Sequence, residues 1–368
     1  MTMDLMQQPP QAVSAPARRS VHADVSTSLS LLSDDRLAKD VAAAEQLGTG
    51  IGGRSAVLEV AGSRVFVKRV PLTGLELRPE HLRSTANLFG LPTYYQYGVG
   101  SAGFGAWREL AVHTMTTNWV LADACEAFPL MYHWRVLPDS PPEEFTDFAG
   151  GIEGAVAHWE GSGAVRERLE AIGRSTYSLV LFLEYVPHTL GDWLADHGGE
   201  APFLRAADGV ARGVDFMASQ GLVHFDAHFH NILTDGHRVY FTDFGLALSD
   251  RFELGPDEAG FLARHRAYDH GQTMCHLLRN HLPGGGVGAG EVGFAAFLAD
   301  WIAGERRGDL SPAVADLVDR YAPTALVMDG FYGRLLNETK TTPFPAAALA
   351  GLLPALQGLD VVPEGPAL

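Results

Sequence analysis

At 368 residues, with 46% hydrophobic and 19% charged positions, the chain is long enough for two lobes sharing a cleft, and its composition excludes disordered, collagen-like and fibrous classes. A formal net charge of −17 argues against a nucleic-acid backbone or an anionic membrane surface as the main partner and is compatible with a cationic substrate. Cys125 and Cys275 are the only cysteines, without CxxC or zinc-like spacing, and no apolar run approaches bilayer-spanning length, so a soluble protein of the reducing cytoplasm is expected.

Residues 1–33 read as a disordered tail, because the first thirty are rich in Pro, Ala, Ser and Gln and lack periodicity. From Asp34 to Leu47 an amphipathic pattern leads into a glycine-dense stretch, LGTGIGGRSAVLEV. Two β-type runs, Ala56–Val60 and Val65–Val70, flank Ala61-Gly62-Ser63-Arg64, which predicts a hairpin. Residues 71–104 read as an irregular insertion, and Ala106–Ala124 as a helix with Leu110, Met115, Trp119 and Val120 near one face. Phe128–Leu137 is strand-like, and 138–175 reads as an inserted loop with helical pieces. The continuous apolar run Tyr177–Glu184 predicts a strand buried on both faces. Beyond Pro187 the pattern is mainly helical, which sets a boundary between a unit at 34–186 and one at 187–368. The glycine-rich segment 284–293 is expected to be a surface loop, since no strand precedes it.

The chemistry is concentrated in Gly221–Ser249, GLVHFDAHFHNILTDGHRVYFTDFGLALS. A helix carrying Leu204, Ala207, Val210, Ala211, Val214 and Met217 ends at Gly221, followed by His224-Phe225-Asp226 and, five positions on from Asp226, by Asn231. Short apolar runs around Asp235-Gly236 predict a second hairpin, and the second run ends at Asp243-Phe244-Gly245. Phosphoryl transfer needs a carboxylate to orient the acceptor hydroxyl, and an amide oxygen and a second carboxylate to hold magnesium. A hairpin between them lets the groups converge.

These motifs resemble the protein-kinase-like superfamily, which includes protein kinases, aminoglycoside phosphotransferases and choline kinases. His224, Asp226 and Asn231 match its H-x-D-x-x-x-x-N loop, and Asp243-Phe244-Gly245 matches its D-F-G motif in full. The resemblance covers residues 35–285. It implies an α+β, bilobal protein-kinase-like fold, with a small antiparallel-sheet N-lobe and a larger, mainly helical C-lobe. It also implies ATP and Mg²⁺ as cofactors. Gly48, Gly50, Gly52 and Gly53 would cover the phosphates, and Lys68 in VFVKRV would bind them. Glu109 on the following helix is the expected partner of Lys68, ahead of Glu76 and Glu80 in a proline-interrupted stretch. Glu184 and Val186 fall in the hinge strand, whose backbone would meet the adenine. Asp226 would orient the acceptor, His228 would bond the γ-phosphate, and Asn231 and Asp243 would hold Mg²⁺. Asp192 is either near the ribose or a helix cap, and Asp269 either braces the catalytic loop or lies on the surface.

His228, two beyond the catalytic aspartate, follows the H-x-D-x-H form of many small-molecule kinases, and no A-P-E motif follows Asp243. A small-molecule acceptor, such as an aminoglycoside-like or other natural-product metabolite, is therefore favoured over a protein. The alternatives are a divergent protein Ser/Thr kinase, a pseudokinase module and a nucleotidyl transferase. A metal hydrolase built on the HxxxHxH spacing of His224, His228 and His230 is the rival from another class.

Overall fold

In the computed structural model, which describes residues 14–50, 53–98, 100–140, 150–283, 291–306 and 310–353, two helices come first: α1 (Ala15–Ser30) and α2 (Asp34–Ala43). Residues 15–30 are therefore not part of a disordered tail. Ser14 caps α1 through Ala17 N–H, Pro16 occupies its first turn, and Val25 and Leu29 are wholly buried. The sequence carries no strong apolar stripe here, because Arg18 is one of the three side chains that α1 buries. The helix α2 stops at Ala43, and Glu45-Gln46-Leu47, expected to continue it, opens strand β1 (Glu45–Gly50).

After β1 come β2 (Gly53–Val60), β3 (Ser63–Leu72), helix α3 (Ala106–Leu121), β4 (Met131–Pro138), α4 (Gly151–His158), α5 (Gly163–Ile172) and β5 (Tyr177–Glu184). The strands form one antiparallel sheet in the order β1-β2-β3-β5-β4. Val60 pairs with Ser63 across Ala61-Gly62, both at positive φ, so the predicted hairpin forms, but its turn is two residues and Ser63 and Arg64, expected in the turn, belong to β3. The strand predicted from Phe128 begins instead at Met131, since Phe128 O accepts from Arg18 rather than from a ladder.

Strand β5 is buried on both faces, and the two faces meet different layers. Leu179, Leu181 and Leu183 pack with Ala106, Trp107 and Leu110 of α3, whereas Val180 and Phe182 join a core that includes Val25, Leu29, Leu37 and Val41 of α1 and α2. Alternating side chains of an interior strand thus need a helical layer on each side, and the unanticipated α1 supplies half of one.

The two insertions are one structure. Phe89, Leu91, Tyr95 and Phe104 from the first pack with Ala155 of α4, Trp159 just after it, and Val165 and Leu169 of α5, and Tyr95 meets Trp159 edge-on at 4.7 Å between ring centroids.

The second half contains β6 (His188–Thr189), α6 (Leu190–Asp196), α7 (Glu200–Ser219), β7 (Leu222–Val223), β8 (Ile232–Thr234), β9 (Val239–Phe241) and β10 (Leu248–Ser249). It closes with α8 (Pro256–Arg264), α9 (Tyr268–His281), α10 (Glu291–Ile302), α11 (Pro312–Asn337) and α12 (Ala346–Leu352). β8 and β9 pair around Asp235-Gly236 as predicted, with β6 added at the edge, and β7 pairs with β10. The chain is thus mixed α and β, an antiparallel sheet followed by a mainly helical region. Of the glycine-rich segment 284–293, residues 284–290 lie outside the described residues, and 291–293 open α10. Among the described residues no helix is long and apolar enough to cross a membrane.

Candidate active site

Lys68 lies mid-strand in β3, between Ser55 of β2 and Leu181 of β5, so the sheet fixes its backbone on both sides. Its Nζ donates to Glu109 Oε1 at 2.6 Å and to Asp243 Oδ1 at 2.8 Å. Burial alone would lower the lysine pKa, but the two carboxylates, Asp243 first, outweigh it and hold the ammonium well above its ordinary value. Lys68 is thus a permanent cation at the junction of sheet and helical region. For Asp243 burial opposes ionisation, but the lysine charge prevails and keeps that carboxylate below its usual range.

Glu109 reaches Lys68 from the first turn of α3, whose start is fixed from a distance. Glu76 Oε1 accepts Ala106 N–H at 2.8 Å, while Glu76 Oε2 accepts from Thr73 and from Arg168 at 2.8 Å. A carboxylate on the otherwise unpaired amides of a helix start satisfies both their hydrogen bonding and their partial charge. Glu76, weighed above as a lysine partner, is thus the residue that caps the helix carrying the actual partner. Glu80 is exposed.

Asp226 sits on the loop between β7 and β8. Asn231 Nδ2 donates to its Oδ2 at 2.9 Å and to its backbone oxygen at 3.1 Å, so the amide nitrogen is spent locally and the amide oxygen remains for another partner. Burial, then the nearby Asp243 charge, pushes the Asp226 carboxyl up to about 7, against the pull of the Asn231 hydrogen bond and Lys68. A carboxyl poised near neutrality is suited to accept a proton. His228 Nε2 stands 3.7 Å from Asp226 Oδ1, and burial together with His224 and His230 lowers its imidazole to about 4, so it is neutral at pH 7.

The loop is braced from α9. Asp269, 3% exposed, accepts His224 N–H at 2.6 Å and Phe225 N–H at 2.9 Å, and Gln272 Oε1 accepts Ala227 N–H at 3.0 Å. Asp269 is therefore a buried brace and not a surface residue. Phe225 and Asp243 both hold left-handed backbone, at φ +64° and +61°, a conformation that costs a non-glycine residue about 1–3 kcal/mol and is retained where its surroundings fix it. Phe244 stands between the rings of His113 and His224, with centroids 5.1 and 5.0 Å away. His224 Nε2 meets Thr242 O at 2.8 Å, while His228 and His230 pair with each other at 5.9 Å, so the three histidines of the HxxxHxH spacing do not converge. Among the described residues no three His, Cys, Asp or Glu side chains gather around a metal position.

Lys68, Asn231 and Asp243 line a cavity of about 390 Å³ between the sheet and the helical region, bounded also by Gly53, Pro129, Glu184, Tyr185 and Val186. Gly48 and Gly50 lie in β1 and Gly53 opens β2, and Gly50 pairs with Gly53; Gly52 lies outside the described residues. Gly53 has φ +126°, and a Cβ there would come 2.1 Å from Arg69 O, so no side chain fits. The Glu184 carboxylate is committed elsewhere: it ion-pairs with Arg18 at 2.6 Å and accepts Leu130 N–H at 3.0 Å. Asp192 Oδ2 accepts Thr189 Oγ1–H at 2.7 Å, within the cap of α6, while Asp192 N–H donates back to Thr189 Oγ1 at 3.1 Å.

On the other side of Lys68 and Asp243 a smaller chamber of about 190 Å³ reaches Asp226. Its outer wall is the end of the first insertion. Gln96 donates to Leu246 O, a Cβ at Gly98 would lie 2.9 Å from Asp226 Oδ1, and one at Gly103 would lie 2.6 Å from Gly245 O.

No protein-family profile matches the chain, and no curated protein matches it. Sequence reasoning did not find Arg18, His113, Gln272 or the contact of Gly98 with Asp226. Gly98, Gly100, Gly103 and Gly105 are visible as a cluster in the sequence, but nothing local says which loop they approach. Arg18 and His113 belong to elements whose burial depends on distant partners.

Proposed function

We propose that the chain is an ATP- and Mg²⁺-dependent phosphotransferase of the protein-kinase-like fold, with an N-lobe at 34–186, a C-lobe at 187–368 and the larger cavity as nucleotide site. The observation that carries this is the convergence of Lys68, Glu109, Asp226, Asn231 and Asp243, drawn from three well-separated stretches of sequence, around two cavities that share Lys68 and Asp243. The donor set suits magnesium, a hard cation that takes one or two protein oxygens and fills its remaining positions with phosphates and water. Asn231 and Asp243 would hold it, and the ion would neutralise charge on the phosphates.

The residues divide the work as follows. Lys68, held by Glu109, binds phosphate oxygens as a point charge. The β1–β2 hairpin, with glycines on both sides of its turn, covers the phosphates, and the backbone around Glu184–Val186 faces the adenine. Asp226 orients the acceptor hydroxyl and takes its proton as the acceptor oxygen bonds the γ-phosphorus and the bond to the β-phosphate oxygen breaks, leaving ADP. Neutral His228 donates a hydrogen bond to the transferring phosphoryl group.

The 190 Å³ chamber beside Asp226 supports a small acceptor. Pockets for drug-sized ligands run to about 300–1,000 Å³, so this chamber is sized for a small hydroxylated group. A divergent protein kinase would need Gly98 and Gly103, which wall this chamber, to move aside.

Calorimetric titration with ATP, with and without magnesium, tests this directly. The expected result is tighter binding with Mg²⁺, lost in Asp243→Asn, and weaker binding in Lys68→Ala. No nucleotide binding under any condition would remove the proposal.

A further inference from the structure

Arg18 is 2% exposed, yet it lies on α1, outside the region that carries the kinase-like motifs. Its guanidinium binds Glu184, which lines the cavity of about 390 Å³, and backbone oxygens just before Pro129, which also lines it. Nε donates to Glu184 Oε1 at 2.9 Å and Nη2 to Glu184 Oε2 at 2.6 Å, a two-pronged pair. Nη2 also donates to Phe128 O at 2.8 Å and Nη1 to Glu126 O at 3.4 Å, and the cation lies 5.3 Å from the Tyr240 ring centroid. Glu184 passes the restraint on, because its Oε2 accepts Leu130 N–H at 3.0 Å and its own N–H donates to Leu130 O at 2.8 Å. Pro129 and Glu184–Thr189, the two segments joined in this way, form one side of the cavity.

A planar fork that meets one carboxylate and two carbonyls fixes orientation as well as distance, and lysine cannot reproduce it. If the guanidinium were withdrawn, Phe128 O would lose its buried donor and the Glu184 carboxylate would keep only Leu130 N–H. On the nucleotide-site reading above, we propose that Arg18 is a positioning residue for that site. Helix α1 is a strap whose seating on the sheet holds the segments 128–130 and 184–187 in the geometry that accepts a purine. Nucleotide affinity is then set in part by an element that never touches the nucleotide.

The test compares the full chain with Arg18→Ala, Arg18→Lys and Glu184→Gln by three readouts: Kd for Mg-ATP, melting temperature, and hydrogen exchange at Leu130 and residues 184–186. The expected result is faster exchange at those amides and about tenfold weaker Mg-ATP binding in Arg18→Ala, the fold-change of a ~1.4 kcal/mol loss. Arg18→Lys, which keeps the charge without the fork, should recover only part of the affinity. A folded Arg18→Ala or Arg18→Lys chain with unchanged Kd overturns the proposal, as does unchanged exchange at the wall. Should Arg18→Ala fail to fold, Arg18→Lys and Glu184→Gln decide by the same readouts. Failure of the unaltered chain to bind Mg-ATP would remove the nucleotide reading and this proposal together, whereas unchanged Kd in a variant removes this proposal alone.

Discussion

Asp226 concentrates the conflict between stability and chemistry in one side chain. Burial and the Asp243 charge raise its carboxyl from 3.8 to about 7. Transfer needs the ionised form, so kcat/KM for ATP should fall about tenfold per pH unit below pH 7 and level off above it. A pH–rate profile flat from pH 5 to 8 would contradict the assignment. The same shift has a consequence for folding. The folded state holds this proton more tightly than the unfolded chain, so the stability it contributes is complete below about pH 4 and lost as pH rises through 7. At ~1.36 kcal/mol per pH unit, the ionised carboxylate costs up to about 4 kcal/mol at pH 8. Asp226→Asn should therefore be more stable than the unaltered chain at pH 8 and lose that advantage near pH 4, which denaturant unfolding at the two pH values would measure. Lys68 escapes this compromise, because Glu109 and Asp243 keep it charged across the accessible range.

Among the elements, the two insertions matter most, since they become one buttress that ends against the Asp226 loop. Its rigidity rests on the Glu76–Arg168 pair, with both side chains 2% exposed, which ties the first insertion to α5 and caps α3. Removing one partner of a buried pair typically costs about 3–5 kcal/mol, so Glu76→Gln should destabilise by that order and loosen the approach of Glu109 to Lys68. Thermal melting that does not move would show the buttress is not so held. The tip is more delicate. Gly98→Ala puts a methyl 2.9 Å from Asp226 Oδ1 on a backbone at φ +81°. The expected outcome is at least tenfold slower transfer with Mg-ATP affinity kept, because the misplaced atom belongs to the acceptor side; a 1 Å misplacement near reacting atoms can cost about a hundredfold. Equal rates in the two proteins would mean that segment 96–105 has no part in acceptor placement.

Over the whole molecule, what the sequence made legible follows contact range. The β2–β3 and β8–β9 hairpins, α3 and β5 could be read because each is specified by a local signal: a turn dipeptide, a helical stripe or a continuous apolar run. Lys68, Glu109, Asp226, Asn231 and Asp243 were legible as residues, and their convergence followed only from the resemblance, since no spacing in the chain brings residue 68 to residue 243. Helix α1 was not legible, because an arginine that earns its burial from Glu184, 166 positions away, looks polar in a window of ten. The approach of Gly98 to Asp226 was hidden for the same reason. A cluster of glycines marks a close approach without naming the partner.

The most direct test of the central claim is transfer of labelled γ-phosphate from Mg-ATP, run with the unaltered chain and Asp226→Asn against small hydroxylated and amino-hydroxylated compounds and generic proteins. The account predicts phosphate on a small molecule with the unaltered chain and at least a thousandfold less with Asp226→Asn, of the order lost when a reaction's essential base is removed, while both bind Mg-ATP. Equal transfer by the two proteins would contradict it.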